Sequence, residues 1–151
     1  MKTIALRFGE HFSPECGTIV AHQNVIDELG YVWYGKMGNS VSNRIVKELL
    51  EQDDTKILLI NSGKTDRYWA HVAEIKKETP DLKAIPAYYR DMTERFRTWF
   101  KVTEFEYAPR DIMSKCTVVS SGAKLGDASK HSMSPYFIIN CDESGINNEP
   151  V

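Results

Sequence analysis

The run Lys56-Ile-Leu-Leu-Ile60 constrains this chain more than any other segment. Unbroken apolar residues of this kind suit a strand buried on both faces, unlike the alternating pattern of a half-exposed one. The cluster Asn61-Ser-Gly-Lys-Thr-Asp66 follows and is dense in turn formers. Residues 67–75 then return with Trp69, Ala70, Val72, Ala73 and Ile75, so the pair reads as a hairpin. A doubly buried strand needs a sheet around it. Short β-prone runs at 2–8, 30–35, 98–107, 117–120 and 135–140 can supply one. The run Gly30-Tyr-Val-Trp-Tyr-Gly35 is notable for aromatic and β-branched residues held between glycines.

Helical spacing appears in two places. Thr18 can cap a helix in which Ile19, His22, Ile26 and Leu29 share one face, with Gly30 placed to end it. Ser40 or Ser42 starts a second, with Val41, Ile45, Val46, Leu49 and Leu50 on one side. Residues 76–87 carry Pro80 and Pro86 and read as a loop; 88–96 suits a short helix and 109–115 one helical turn. Residues 9–17 and 121–134 read as loops. The expected fold is α+β: a small, mostly antiparallel β-barrel of five or six strands, with helices near 18–29 and 41–52. One domain spans 1–140. An acidic tail, 141–151, holds Asp142, Glu143 and Glu149 and no Lys or Arg.

With 19 basic and 21 acidic residues in 151, the net charge is -2, and the body without that tail carries +1. A strongly basic protein that coats nucleic acid is excluded, whereas a local basic groove is not. No stretch approaches the ~20 apolar residues of a membrane helix. The N-terminus is interrupted by Arg7 and does not read as a signal peptide. Cys16, Cys116 and Cys141 are odd in number and form no Cys-x-x-Cys pair, which suggests free thiols in a cytoplasmic setting.

The familiar motifs mostly fail on spacing. Ser62-Gly63-Lys64-Thr65 resembles the end of a phosphate-binding loop, but Leu58 stands where that loop needs glycine, and the segment leads into a strand. His11, His22, His71 and His131 lack the spacing of a metal helix, so no metal and no cofactor is assigned. His71 could line a pocket or sit in the core. No Gly-x-Ser-x-Gly elbow exists. Cys116 lies in a β-prone run and reads as buried and inert. Glu104 and Glu106 share one strand face and read as a solvated side.

Aromatic residues remain. Trp33, Trp69 and Trp99 each fall on an expected strand, accompanied by Tyr31, Tyr34, Tyr68, Tyr88 and Tyr89. Basic residues lie close by: Lys36, Lys64, Arg67, Arg90, Arg95, Arg97, Lys101 and Lys124. Between Arg90 and Lys101, four basic and two acidic residues net +2. A ring-rich core accounts for most of these aromatics. Rings interleaved with cations also suit phosphate contact combined with base stacking.

Residues 56–75, closing on Ala70-His-Val-Ala-Glu-Ile75, resemble the hairpin of EVE domains, members of the PUA-like superfamily. Trp99-Phe-Lys-Val102 is similar to the next strand of such domains, and Ser132-Met-Ser-Pro-Tyr-Phe-Ile-Ile139 to their last. The resemblance spans about residues 30–140. It implies a pseudo-barrel that binds RNA or modified DNA bases beside the barrel, with Asn61, Ser62, Trp69 and Trp99 as pocket candidates. The expected site lies between the 61–66 turn, Trp33, Trp69 and Trp99, with Lys64 as a further ligand contact. Trp99 is expected to stack on the ligand and Trp33 to be core.

The expected function is a nucleic-acid-binding module that holds a base, modified or unmodified, in an aromatic pocket, with no membrane partner. Two alternatives stay open. One is a small hydrolase of nucleotides or nucleosides, with Lys64 or Lys36 on phosphate and His71 or a carboxylate as base. The other is a protein-interaction adaptor.

Overall fold

The computed structural model describes residues 1–61, 65–132 and 134–142. Seven strands form one sheet: β1 (Lys2–Phe8), β2 (Val32–Met37), β3 (Lys56–Asn61), β4 (Arg67–Lys76), β5 (Phe96–Tyr107), β6 (Cys116–Val118) and β7 (Tyr136–Cys141), in the order β2-β5-β4-β3-β1-β7-β6. The 56–75 hairpin forms as read, Leu58 opposite Trp69 and Ile60 opposite Arg67. The sheet corrects the expected mostly antiparallel barrel. It is mixed, because β1 and β3 run parallel, and it is not closed. The parallel pair follows from connectivity: β1 leads through α1 (Thr18–Leu29), the distant strand β2 and α2 (Asn43–Leu50) before β3 arrives beside it.

One buried cluster takes Ile4, Leu6 and Phe8 of β1 with Tyr34, Ile57, Leu59, Ala70, Val72, Phe100 and Val102, and with Ile26, Ile45 and Leu49 from the two helices. Intervening residues turn to the other face and divide into two clusters. Ala5, Leu58, Ile60, Trp69 and Phe137 pack with α3 (Ile112–Lys115) and α4 (Leu125–His131). Trp33, Phe96 and Trp99 pack under two 3-10 segments, Leu82–Ala84 and Ala87–Arg95. The sheet curls far enough that Lys36 Nζ of edge strand β2 lies 4.7 Å from the Tyr136 ring of β7.

Local expectations fare unevenly. Gly30 ends α1 in the left-handed conformation at φ 85°, donating to the Ile26 carbonyl. The start of α1 differs: Gly17 precedes it, Thr18 is its first residue, and Leu29 is exposed. Ser42, not Ser40, caps α2 by accepting from the Ile45 amide, and Leu50 points outward. The expected loop 121–134 contains α4. Its turn is polar, and its C-terminal end is held by a distant side chain that local sequence does not announce. Arg7 donates to the carbonyls of Ser129, Ser132 and Ser134.

One further expectation is corrected. Cys116 and Cys141 are not free thiols. They face each other across the β6–β7 pairing, Cα atoms 4.2 Å apart, and form a disulfide, while Cys16 is free and exposed. Neighbouring ladder bonds run from Cys141 to Met1 and from Asp142 to Lys115, so this is the closer type of cross-strand pair. β7 runs through Cys141, and the tail from 143 lies outside the described residues. Among the described residues no helix is long and apolar enough to cross a membrane.

Candidate functional site

Among the described residues, those of the expected site are not brought together. Trp69 is buried on the sheet face covered by α3 and α4. Trp33 and Trp99 are buried together beneath the 3-10 segments, Trp99 with no solvent exposure. Asn61, at the end of β3, opens onto a separate depression with Glu10, Glu15 and Asp66. Ser62 and Lys64 lie outside the described residues. Strand alternation is the reason: Trp69 shares a face with Leu58 and Ile60, and Trp33 points away from Val32 and Tyr34.

A different cleft, of about 160 Å3, lies where curled edge strand β2 approaches the end of β1. Leu6, Arg7 and Phe8 come from β1 and Tyr34, Gly35, Lys36 and Met37 from β2. Tyr88, Tyr89, Met92 and Phe96 come from the 3-10 segment and its exit, and Phe12, Ser13 and Thr18 from the approach to α1. The volume falls below the ~300–1,000 Å3 common for drug-sized ligands and suits one small planar group. β2 is a sheet edge, so backbone groups on its outer side have no strand partner.

Gly35 sets the rear wall. A Cβ there would stand 2.5 Å from Phe96 Cγ, so only glycine lets that ring lie against β2. Phe96 is fixed in turn by Tyr89, with centroids 4.3 Å apart, and by Trp99 at 5.0 Å. The front wall is a loop tied to α1. Glu10 accepts from the Thr18 amide at 2.9 Å and the Thr18 hydroxyl at 3.2 Å, and also from Ser13. A carboxylate at this helix start is favoured by the unpaired amides and the dipole.

His22 stands behind the cleft, fully buried, with its ring 5.1 Å from Tyr34 and 5.0 Å from Tyr89. Its Nδ1 lies 2.8 Å from the Thr18 carbonyl and so carries the proton, leaving Nε2 a buried acceptor without a partner. Burial lowers its pKa to about 4, so the ring is neutral. Burial likewise pushes the phenols of Tyr34, Tyr88 and Tyr89 above the usual tyrosine value. The aromatic walls are therefore uncharged. Lys36 brings positive charge, with Nζ donating to the carbonyls of Met37 at 3.1 Å and Asn39 at 2.6 Å. Burial first, and then Lys77, lower its pKa.

The arrangement can hold a flat, uncharged ring between aromatic side chains and offer edge-strand backbone groups to its rim. Among the described residues it does not bring Lys36 and His71 together, and Lys64 lies outside those residues. His71, which could line a pocket or sit in the core, does neither: it is half-buried between Asp54 and Glu106 and does not line the cleft that contains Lys36. Among the described residues no group of His, Cys, Asp and Glu side chains is placed to hold a metal ion.

Two signals in the sequence pointed here. Gly35, which in the sequence closes the aromatic 30–35 run, lies inside β2, and a glycine within a strand marks close approach of another group. The Tyr88-Tyr89 pair adjoins the basic 90–101 segment. Phe12 carried no signal, since a single ring in a polar loop matches no period.

The model of the family described as Pua-like matches residues 4–138 of the chain. No curated protein and no solved structure matches it.

Proposed function

Since the chain belongs to the PUA-like family, whose domains are generally RNA-binding, we propose that it binds nucleic acid and holds one base in the cleft between β2, the end of β1 and the 87–95 segment. The observation that carries this is the cleft's composition: uncharged aromatic walls beside a strand, β2, that has no further strand on its outer side. Rings give sequence-tolerant stacking worth roughly 1–3 kcal/mol per base, and backbone groups read the base edge. The EVE-like hairpin supports a modified base as the ligand. The near-neutral net charge of -2 favours a short or single-stranded target over a long duplex, since phosphate attraction dominates non-specific affinity.

Phe12 is the ring to test, because it lines the cleft and is 52% exposed, so its removal costs little packing. The test titrates wild type and Phe12→Ala with short RNAs and with modified and unmodified DNA oligonucleotides at low salt. Wild type binds at least one, and Phe12→Ala binds about tenfold more weakly with an unchanged melting temperature. No binding to any of them by wild type ends this reading.

A further inference from the structure

Resting on that reading of the cleft, we infer that Arg95 receives the phosphate attached to the bound base, so that the unit recognised is a nucleotide of a single strand. Arg95 ends the 87–95 segment, and its guanidinium lies 5.2 Å from the centroid of Phe12, the exposed ring of the cleft. It is exposed and, among the described residues, has no carboxylate or carbonyl partner. The cations that line the cleft itself are committed. Arg7 is spent on carbonyls of the 129–134 segment, and Lys36 on Met37, Asn39 and the Tyr136 ring.

A guanidinium stacked on an aromatic ring keeps its in-plane N–H donors open, and their fork matches two phosphate oxygens. The surroundings also give the strand a direction. Glu10, Glu15 and Asp66 line the depression on the far flank of the 9–17 loop and repel phosphate there. On the Arg95 flank, Arg97 is exposed on β5 between Phe96 and Thr98, whose register partners Met37 and Lys36 line the cleft. A base entering the cleft therefore has its phosphates drawn over Arg95 and Arg97 and away from the acidic side.

The test titrates wild type and Arg95→Gln with the four ribonucleosides and with their 5′- and 3′-monophosphates, by calorimetry at low salt. For the base that binds, wild type prefers a monophosphate over its nucleoside by about tenfold or more, as hydrogen bonds to charged groups require. In Arg95→Gln that preference shrinks to about twofold or less, while nucleoside affinity is unchanged. Equal binding of nucleoside and both monophosphates by wild type overturns the assignment, as does a preference that survives in Arg95→Gln. In both cases nucleoside binding leaves the cleft reading standing. Absence of binding by every nucleoside and nucleotide removes the cleft reading and this assignment together.

Discussion

The imidazole of His71 donates through Nε2 to the Glu106 carboxylate at 2.9 Å, joining β4 to β5. Its Nδ1 reaches Asp54 at 3.0 Å. Carboxylates on both nitrogens call for protons on both. Burial opposes the charge, but the hydrogen bonds that His71 donates to Asp54 and Glu106 outweigh it and raise the pKa above 6.5. The folded state therefore holds this proton more tightly than the unfolded state. The contribution is fully present below the unfolded value and is lost as pH rises through the raised folded one. Asp54 is 67% exposed, so screening holds the effect to at most about 1 kcal/mol. Urea unfolding of wild type and His71→Gln at pH 6 and pH 9 should show a wild-type advantage at the lower pH that fades at the higher. An advantage that grows with pH contradicts the assignment.

His22 acts in the opposite sense. Its folded pKa is depressed to about 4 by burial, so below 6.5 the unfolded chain takes up a proton that the folded chain refuses. Stability is whole above about pH 6.5 and declines towards pH 4, by on the order of 3 kcal/mol. His22→Met removes the titrating group while filling the space between Tyr34 and Tyr89, and it leaves no orphaned acceptor. Melting curves from pH 4 to 7 should be flatter for His22→Met than for wild type. Identical slopes would sink this account.

Gly35 offers a third test. Gly35→Ala places a methyl against the Phe96 ring, which Tyr89 and Trp99 prevent from yielding freely. Overpacking of this sort costs about 1–3 kcal/mol. Because Phe96 is also cleft wall, oligonucleotide affinity should fall in the same variant. Gly126→Ala is the control: it lies in α4, and its nearest contact is Met113 Cβ at an ordinary 3.7 Å. It should be neutral or gain about 0.5–1 kcal/mol. Calorimetric melting of both variants decides the matter; equal stability of the two would show that the Phe96 contact is slack.

The Cys116–Cys141 bridge closes a separation of 25 residues. Loop-closure entropy puts its contribution at roughly 3–4 kcal/mol, and reduction should lower the melting temperature accordingly. Alkylation followed by mass spectrometry checks the pairing directly. The native oxidised protein should take one label, at Cys16, and the reduced unfolded protein three. Three labels without reductant would show that the bridge does not form.

The fold was more legible than the site. The run 56–60, the turn after it and Gly30 are local signals, and each does in the structure what its neighbours in sequence imply. Parallel pairing of β1 with β3, the Arg7 hold on α4 and the Cys116–Cys141 bond join segments far apart in the chain, and no local period encodes them. The tryptophans misled for a related reason. Strand alternation states that Trp33 and Trp69 point away from their neighbours, but not whether another layer covers that face. The 3-10 segments and α3 with α4 do cover it.

Arg7 has a kinetic consequence. Its side chain binds three carbonyls between 129 and 134, and its own amide donates to Pro135, which lines the cleft. That side of the cleft cannot widen without breaking several bonds at once. The opposing 9–17 loop is held chiefly through Glu10 on Ser13 and Thr18. Access is thus hinged on one side only. The rate at which a ligand enters and leaves should follow the breathing of the Glu10 loop, while the β1 side stays clamped as a fixed jaw.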